Sequence, residues 1–166
     1  MLVANVDESV RAGETPDAHV RRLAENKARA VMPQAEGRPV LAADTIVVVD
    51  GLILGKPADP EDARRMLRML SGRAHDVVTG VCLAGGPTTA VQTEVATTSV
   101  EFAALTEAEI AWYVASGEPA DKAGAYAVQG LASRFVTRID GSYSNVVGLP
   151  VALVYNLCTK AALLIS

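Results

Sequence analysis

The sequence of 166 residues lacks several features that mark common classes of protein. It has no basic block and carries a formal net charge of −4, which argues against binding to a nucleic-acid backbone. No apolar run reaches the roughly 18 residues that a membrane-spanning helix needs. The first residues include Asp7 and Glu8 but no basic stretch, so they do not resemble a signal peptide. We therefore expect a soluble cytoplasmic protein that binds neither nucleic acid nor membrane.

Cysteine is scarce, and repeats and linkers are missing. Cys82 and Cys158 are isolated and lack the spacing of a metal or redox site, so we expect small apolar core residues in a reducing compartment. No internal repeat or Ser/Gly/Pro-rich linker divides the chain, which predicts a single domain over residues 1–166. With 50% apolar and 20% charged residues, that domain should be globular.

Helix and strand patterns alternate along the chain, which predicts an α/β fold with a mixed sheet flanked by helices. Three helices have recognisable start signals: Thr15-Pro16-Asp17, Asp59-Pro60-Glu61, and Thr106 with Glu109 as a capping box. The predicted strands are 41–49, 52–54, 75–84, 88–103 and 135–139, with a turn at Gly85-Gly86-Pro87 and a last helix after Gly148-Leu149-Pro150.

Asp44 stands out because it interrupts an apolar run that reads as a buried strand. An ionised carboxylate there costs on the order of several kcal/mol unless it meets a cation, a metal or hydrogen-bond donors. One interpretation is a structural Asp satisfied by backbone donors. The other is a catalytic or metal-facing carboxylate, with Thr45 beside it.

Three further residues, one lysine and two histidines, are polar residues whose position needs an interpretation. Lys27 lies in the middle of the apolar face of the first predicted helix, where it either extends to an edge or points at an anionic group. His75 follows a helix stop and is more typical of a hydrogen-bonded structural residue than of a proton carrier. His19 is predicted on the polar surface of its helix.

Between residues 121 and 130 neither a helical nor a strand period is evident. Gly124 and Gly130 in this segment would permit close approach of a ligand.

Six groups of residues carry a resemblance to a known family. They are Ala43-Asp44-Thr45; Gly55-Lys56-Pro57; Leu70-Ser71-Gly72-Arg73 with His75; Thr79-Gly80; Asp121-Lys122-Ala123-Gly124-Ala125-Tyr126 with Gln129-Gly130; and Gly141-Ser142-Tyr143 leading to Gly148-Leu149-Pro150. In this order they resemble the Maf proteins, a septum-formation-like family of nucleoside triphosphate pyrophosphatases with an inosine-triphosphatase-like architecture. The matches cover nearly the whole chain.

The resemblance implies hydrolysis of a nucleoside triphosphate between the α and β phosphates, with a divalent cation such as Mg²⁺ or Mn²⁺. By resemblance Asp44 is the proton acceptor, Glu8 and Asp44 hold the metal, and Thr45 and Gln129 tune the choice of base. The same comparison places Lys27, Lys56 and Lys122 near the phosphates. The form of the 121–130 motif resembles the branch acting on dTTP and UTP, and the family suggests a homodimer.

One family motif is not found. Family members open with a strand and Ser-x-Ser-Pro-Arg-Arg, whereas this sequence begins just upstream of Asp7-Glu8. Either the start of the sequence is misplaced, or the protein has lost a strand, a helix and part of its site. We expect the sequence as given to be N-terminally truncated, with weakened activity. Two alternatives to a dTTP/UTP pyrophosphatase stay open: the same hydrolysis with another base preference, or an inactive nucleotide-binding or cell-division regulator.

Overall fold

The computed structural model describes residues 2–85 and 91–163. Its helices are α1 (Pro16–Val31), α2 (Pro60–Leu70), α3 (Glu107–Ala115), α4 (Tyr143–Val147) and α5 (Val151–Lys160). Its strands are β1 (Val40–Val49), β2 (Leu52–Leu54), β3 (Ala74–Ala84), β4 (Gln92–Phe102) and β5 (Val136–Asp140). The predicted α/β class, with a sheet flanked by helices, is confirmed.

The described strands form one sheet in the order β2-β1-β3-β4-β5. β1 and β2 are an antiparallel hairpin with Val48 opposite Ile53, joined through Asp50 and Gly51 at φ 50° and 75°. β4 and β5 are also antiparallel, with Val100 opposite Ile139. The predicted turn at Gly85-Gly86-Pro87 and the strand start at Thr88 fall largely on residues 86–90, outside the described part.

The contacts between residues divide the chain into two compact units. That these units form a single domain stays a prediction. Unit 1 comprises Met1–Thr45, Thr79–Ala96 and Gly148–Ser166. In it, α1 packs on one side of the strands and α5 on the other. The α1 side buries Ala24, Ala28, Val31, Val40, Cys82 and Ala84, and the α5 side buries Val81, Leu83, Leu157 and Ala161.

A glycine brings α1 close to β3. A Cβ on Gly80 would overlap the backbone carbonyl of Val20, so only glycine permits this approach. The helix begins as predicted, because the Thr15 hydroxyl accepts a hydrogen bond from the Ala18 N–H at 3.3 Å. The close packing at Gly80 fixes the position of α1, the helix that carries Lys27.

Unit 2 comprises Ile46–Val78 and Thr97–Val147. Its core gathers α2, α3 and the adjoining strands around Leu67, Leu70, Phe102, Tyr113 and Phe135, each at most 2% exposed. The predicted capping box of α3 is confirmed, because Thr106 and Glu109 each bind the other's backbone N–H. Short 3₁₀ turns span Glu118–Asp121, Ala123–Ala125 and Leu131–Phe135. Of these, Ala123–Ala125 lies within residues 121–130, where no period was predicted.

Two remaining predictions concern helices and cysteines. The short helix α4 has no counterpart in the sequence analysis. Cys82 is buried and Cys158 is half-buried, and both are free thiols. Among the described residues, no helix is long and apolar enough to cross a membrane.

Candidate functional site

The candidate site in unit 1 is a lysine shared by two carboxylates. Lys27 Nζ donates a 2.6 Å hydrogen bond to Oδ1 of Asp44 and lies 2.7 Å from Oε1 of Glu8. Asp44 is only 8% exposed, whereas the Glu8 side chain is 46% exposed. Of the alternatives for Lys27, the structure shows the one that points at anionic groups. Asp44 accordingly meets a cation within its apolar strand.

Burial and pairing act in opposite directions on these groups. Burial raises the pKa of Asp44 above its ordinary value, although the hydrogen bond from Lys27 pulls it down. Burial disfavours the Lys27 ammonium, but its hydrogen bonds with Asp44 and Glu8 prevail and raise its pKa. Asp44 is thus a carboxylate with increased proton affinity beside a fixed positive charge, as a general base needs.

A polar cluster ties the segment before α1 to the helix. Both carboxylate oxygens of Glu14 accept hydrogen bonds from Arg22, at 2.6 and 2.7 Å, and His19 Nδ1 lies 3.0 Å from Oε2. Arg22 also donates to the Ser9 carbonyl at 3.0 Å. This segment carries Glu8, so the cluster helps hold Glu8 near Lys27. The prediction for His19 is wrong: it is 3% exposed, because Glu14 supplies a buried partner.

Thr45 follows Asp44 in the chain but serves the other face of β1. Consecutive side chains of a strand point to opposite faces, so Asp44 faces α1 and Thr45 does not. The Thr45 hydroxyl lies 2.9 Å from the hydroxyl of the fully buried Thr79 and donates to the Gly148 carbonyl at 3.4 Å. Its role in base choice stays a prediction.

In unit 2 the structure brings together the loops that carry Lys56 and Lys122. The Gly124 N–H donates to the Gly55 carbonyl at 3.0 Å, which places one loop against the other. Lys122 Nζ lies 2.6 Å from Asp121 Oδ1, and this bond holds the pKa of Asp121 below its usual value. The charge of Lys56 adds to that effect. The two lysines therefore lie on neighbouring loops, where Asp121 balances the charge of Lys122.

The glycines of this region are approached by protein groups. Gly124 has φ 65°, and a Cβ there would collide with the Val47 side chain at 2.7 Å. A Cβ on Gly130 would overlap the Glu118 carboxylate. In the structure the groups that approach these two glycines are Val47 and Glu118, and approach by a ligand stays a prediction. Gln129 lies in the exposed turn just before Gly130.

His75 has the structural role that the sequence favoured. It is 3% exposed, and its Nε2 lies 2.8 Å from the Tyr126 hydroxyl. The imidazole also packs edge-to-face against Phe102, with ring centroids 5.0 Å apart. Burial lowers the pKa of His75 to about 4, so the ring is neutral at physiological pH.

The sequence analysis missed the supporting residues Glu14, Arg22, Tyr113 and Glu118. Each forms contacts over 5 to 14 residues of sequence, which no helix or strand period reveals. The one available signal was Gly130, since a glycine can mark a place where another group approaches the backbone closely.

The donor set of unit 1 is compatible with a hard divalent cation. Glu8 and Asp44 supply oxygen ligands that already converge on one positive charge, and Mg²⁺ typically uses one or two carboxylates together with substrate phosphate oxygens. In the part of the chain that the structure describes, no cluster of three or more His, Cys, Asp or Glu side chains would enclose a metal. Any such ion would therefore rely on few protein ligands.

Residues 1–161 match the family described as Maf-like protein, and the chain belongs to that family. The resemblance carried by the six sequence motifs is thereby confirmed.

Several relatives share half or more of their aligned residues with the chain. One from Anaeromyxobacter sp. (strain Fw109-5) is 57% identical over 161 residues, covering 95% of this chain and 77% of the relative. A second, from Koribacter versatilis (strain Ellin345), is 53% identical, covering 97% and 82%. A third, from Myxococcus xanthus (strain DK1622), is 50% identical, covering 96% and 80%. All three are named dTTP/UTP pyrophosphatase, which is the branch that the sequence motifs favoured.

Proposed function

We propose that this protein hydrolyses dTTP and UTP between the α and β phosphates, releasing the nucleoside monophosphate and pyrophosphate. The observation that carries the proposal is the buried Asp44, paired with Lys27, which also binds Glu8, in a chain of the Maf-like family. The names of the relatives support the choice of dTTP and UTP.

Asp44 is the general base in this proposal. It accepts the proton of the attacking water while the water oxygen bonds to phosphorus and the bond between phosphorus and the bridging oxygen breaks. Its burial strengthens it as a base, and Lys27 fixes the orientation of the carboxylate. Pyrophosphate leaves with the bridging oxygen.

Three lysines, Lys27, Lys56 and Lys122, are the residues that the family resemblance assigns to the phosphates. Lysine suits this task because its ammonium is a compact charge on a flexible stem. Lys56 is exposed, so its contribution should be sensitive to salt.

A divalent cation completes the proposed site, held by Glu8 and Asp44. When bound, it supplies charge neutralisation and polarisation of the phosphate oxygens. Lys27 then keeps the two carboxylates close together, since it contacts both. Mg²⁺ and Mn²⁺ are the ions to compare.

Gln129 is the residue proposed to select the base, with Thr45 as a second contributor. An amide offers both a donor and an acceptor, which matches a pyrimidine edge. Gln129 is exposed in its turn, as a group that contacts a ligand must be. We further expect, from the family resemblance, a cytoplasmic enzyme acting as a homodimer.

The test is pyrophosphate release from a panel of dTTP, UTP, CTP, dATP and GTP, each with Mg²⁺ and with Mn²⁺. Preferential turnover of dTTP and UTP supports the proposal. Equal turnover of purine nucleotides would favour the same hydrolysis with another base preference. Nucleotide binding without pyrophosphate release from any substrate would refute the enzymatic function.

A further inference from the structure

A partly buried set of hydrogen bonds around Glu118, here called the clamp, holds the turn that carries Gln129. The Glu118 carboxylate accepts hydrogen bonds from the Leu131 N–H at 3.0 Å and, more weakly, from the Ala132 N–H at 3.5 Å. The same carboxylate accepts a 2.8 Å hydrogen bond from the hydroxyl of Tyr113. All of these residues belong to unit 2.

Tyr113 extends the clamp to the other end of the turn. Its hydroxyl accepts a hydrogen bond from the Ala127 N–H at 3.2 Å while donating to Glu118. Burial raises the pKa of Tyr113, so it remains a hydroxyl at any physiological pH. The backbone is thus held at Ala127 on one side of Gln129 and at Leu131 on the other.

The carboxylate fits closely against the turn. A Cβ on Gly130 would overlap Glu118, so the glycine next to Gln129 makes room for the clamp. Although burial opposes ionisation, hydrogen bonds from the Leu131 N–H and the Tyr113 hydroxyl keep the pKa of Glu118 below its usual value. An ionised acceptor forms stronger hydrogen bonds than a neutral one, and this favours a single geometry for the turn.

We propose that Glu118 is a positioning residue for base selection, which acts with Tyr113 by holding the 127–132 turn so that Gln129 presents its amide to the base. The inference rests on the proposed function, because it assigns Gln129 to the base. A turn fixed before the substrate arrives loses less conformational freedom on binding, and its donor and acceptor are already aligned.

Glu118→Gln is the informative substitution. It keeps the size of the side chain but replaces one acceptor oxygen with an amide donor, which would face a backbone N–H or the Tyr113 hydroxyl. Tyr113→Phe is a second variant that keeps the ring against Phe135 and removes only the hydroxyl. Glu107→Gln is the matched control, because Glu107 is an exposed partner of Arg68 in the same unit.

The readout is the ratio of kcat/KM for dTTP to that for CTP, with thermal melting to confirm folding. We expect Glu118→Gln to lower the ratio roughly tenfold, mainly through KM for dTTP, and Tyr113→Phe to lower it less. Glu107→Gln should leave the ratio unchanged. Hydrogen exchange at the Leu131 and Ala132 amides should accelerate in Glu118→Gln but not in the control.

A double-mutant cycle with Gln129→Ala tests whether Glu118 acts through Gln129. The inference requires that Glu118→Gln no longer changes the ratio once Gln129 is Ala. An equal change in both backgrounds, or an unchanged ratio in Glu118→Gln and Tyr113→Phe alike, overturns the positioning role alone. An unchanged ratio in Gln129→Ala by itself refutes base reading by Gln129, and the inference then fails with it.

Discussion

Replacing Asp44 by Asn tests the proposed base most directly, because the change removes proton affinity but almost no volume. The Asn oxygen can still accept the hydrogen bond from Lys27 Nζ, which now measures 2.6 Å, and Glu8 remains near the same ammonium at 2.7 Å. The local packing should therefore survive. Losing a general base typically costs ~10²–10⁴ in rate. This range corresponds to about 3–5 kcal/mol of activation free energy.

The assay is steady-state pyrophosphate release from dTTP, together with calorimetric binding of an analogue whose α–β bridge cannot be cleaved. Binding measured without a divalent cation should change little, because Asn brings no negative charge that repels phosphate. Asp50→Asn is the matched control: Asp50 lies just after the same strand but is exposed and pairs with Arg73. Its turnover should equal that of the unmodified protein.

The pH dependence supplies a second measurement on the same residue. A base works only when deprotonated, so kcat/KM should fall as pH falls through the pKa that Asp44 has in the cation-loaded enzyme. Turnover of Asp44→Asn above about one tenth of normal, with the fall at low pH unchanged, would refute the assignment of Asp44 as base.

Three further perturbations address other residues. Lys56→Ala should raise KM for dTTP roughly tenfold at low salt and less at high salt, because the lost charge is exposed and screened; KM measured at two ionic strengths checks this. Gln129→Ala should cost roughly 1–3 kcal/mol of discrimination between dTTP and CTP with little change in kcat, measured as the ratio of kcat/KM values. His75→Gln should keep a hydrogen bond to Tyr126 but remove the imidazole, whose protonation makes stability depend on pH. The unfolded histidine has a pKa of 6.5 and the folded one about 4, so the stability from neutral His75 is complete above pH 6.5 and is lost as pH falls toward 4. The loss is at most roughly 3 kcal/mol, measured by denaturant unfolding at several pH values.

Each of these expectations has a contradicting result. Arg138→Ala, which removes an exposed cation paired with Asp140, is the control for Lys56. If both variants shift KM equally, general electrostatics explains the effect. Equal losses on dTTP and CTP would remove Gln129 from base reading. If the free energy of unfolding of His75→Gln falls with pH as steeply as that of the unmodified protein, groups other than His75 cause that fall.

The sequence predicted those parts of the fold that depend on neighbouring residues. The starts of α1, α2 and α3 were all correct, because a cap needs only the residues of one helix turn. The strands predicted at 41–49 and 52–54 form the β1–β2 hairpin, because Asp50-Gly51 between them supplies the two positive φ values of the turn. The short helix α4 was missed, since its five residues are too few to show a helical period.

The sequence predicted the residues of the candidate site better than their partners. Lys27 was identified as a lysine on an apolar face, yet its two carboxylates lie 17 and 19 residues away in the chain. The buried His19 shows the same limit. Helical period placed it on a polar face, but Glu14 supplies a polar partner inside the protein. Tertiary partners of this kind decide burial, and a local pattern does not contain them.

Side chains along β1 point alternately to its two faces, so Asp44 and Thr45 lie on opposite faces although they are neighbours in the chain. Asp44 faces Lys27 on the α1 side, whereas the Thr45 hydroxyl is engaged by Thr79 and the Gly148 carbonyl. The two therefore cannot act on a ligand as one polar pair. Because Gly148 lies just before α5, the hydroxyl of Thr45 helps fix the backbone where that helix begins. Any influence of Thr45 on base choice would then act through this backbone contact, while Asp44 keeps its separate connection to Lys27 and Glu8.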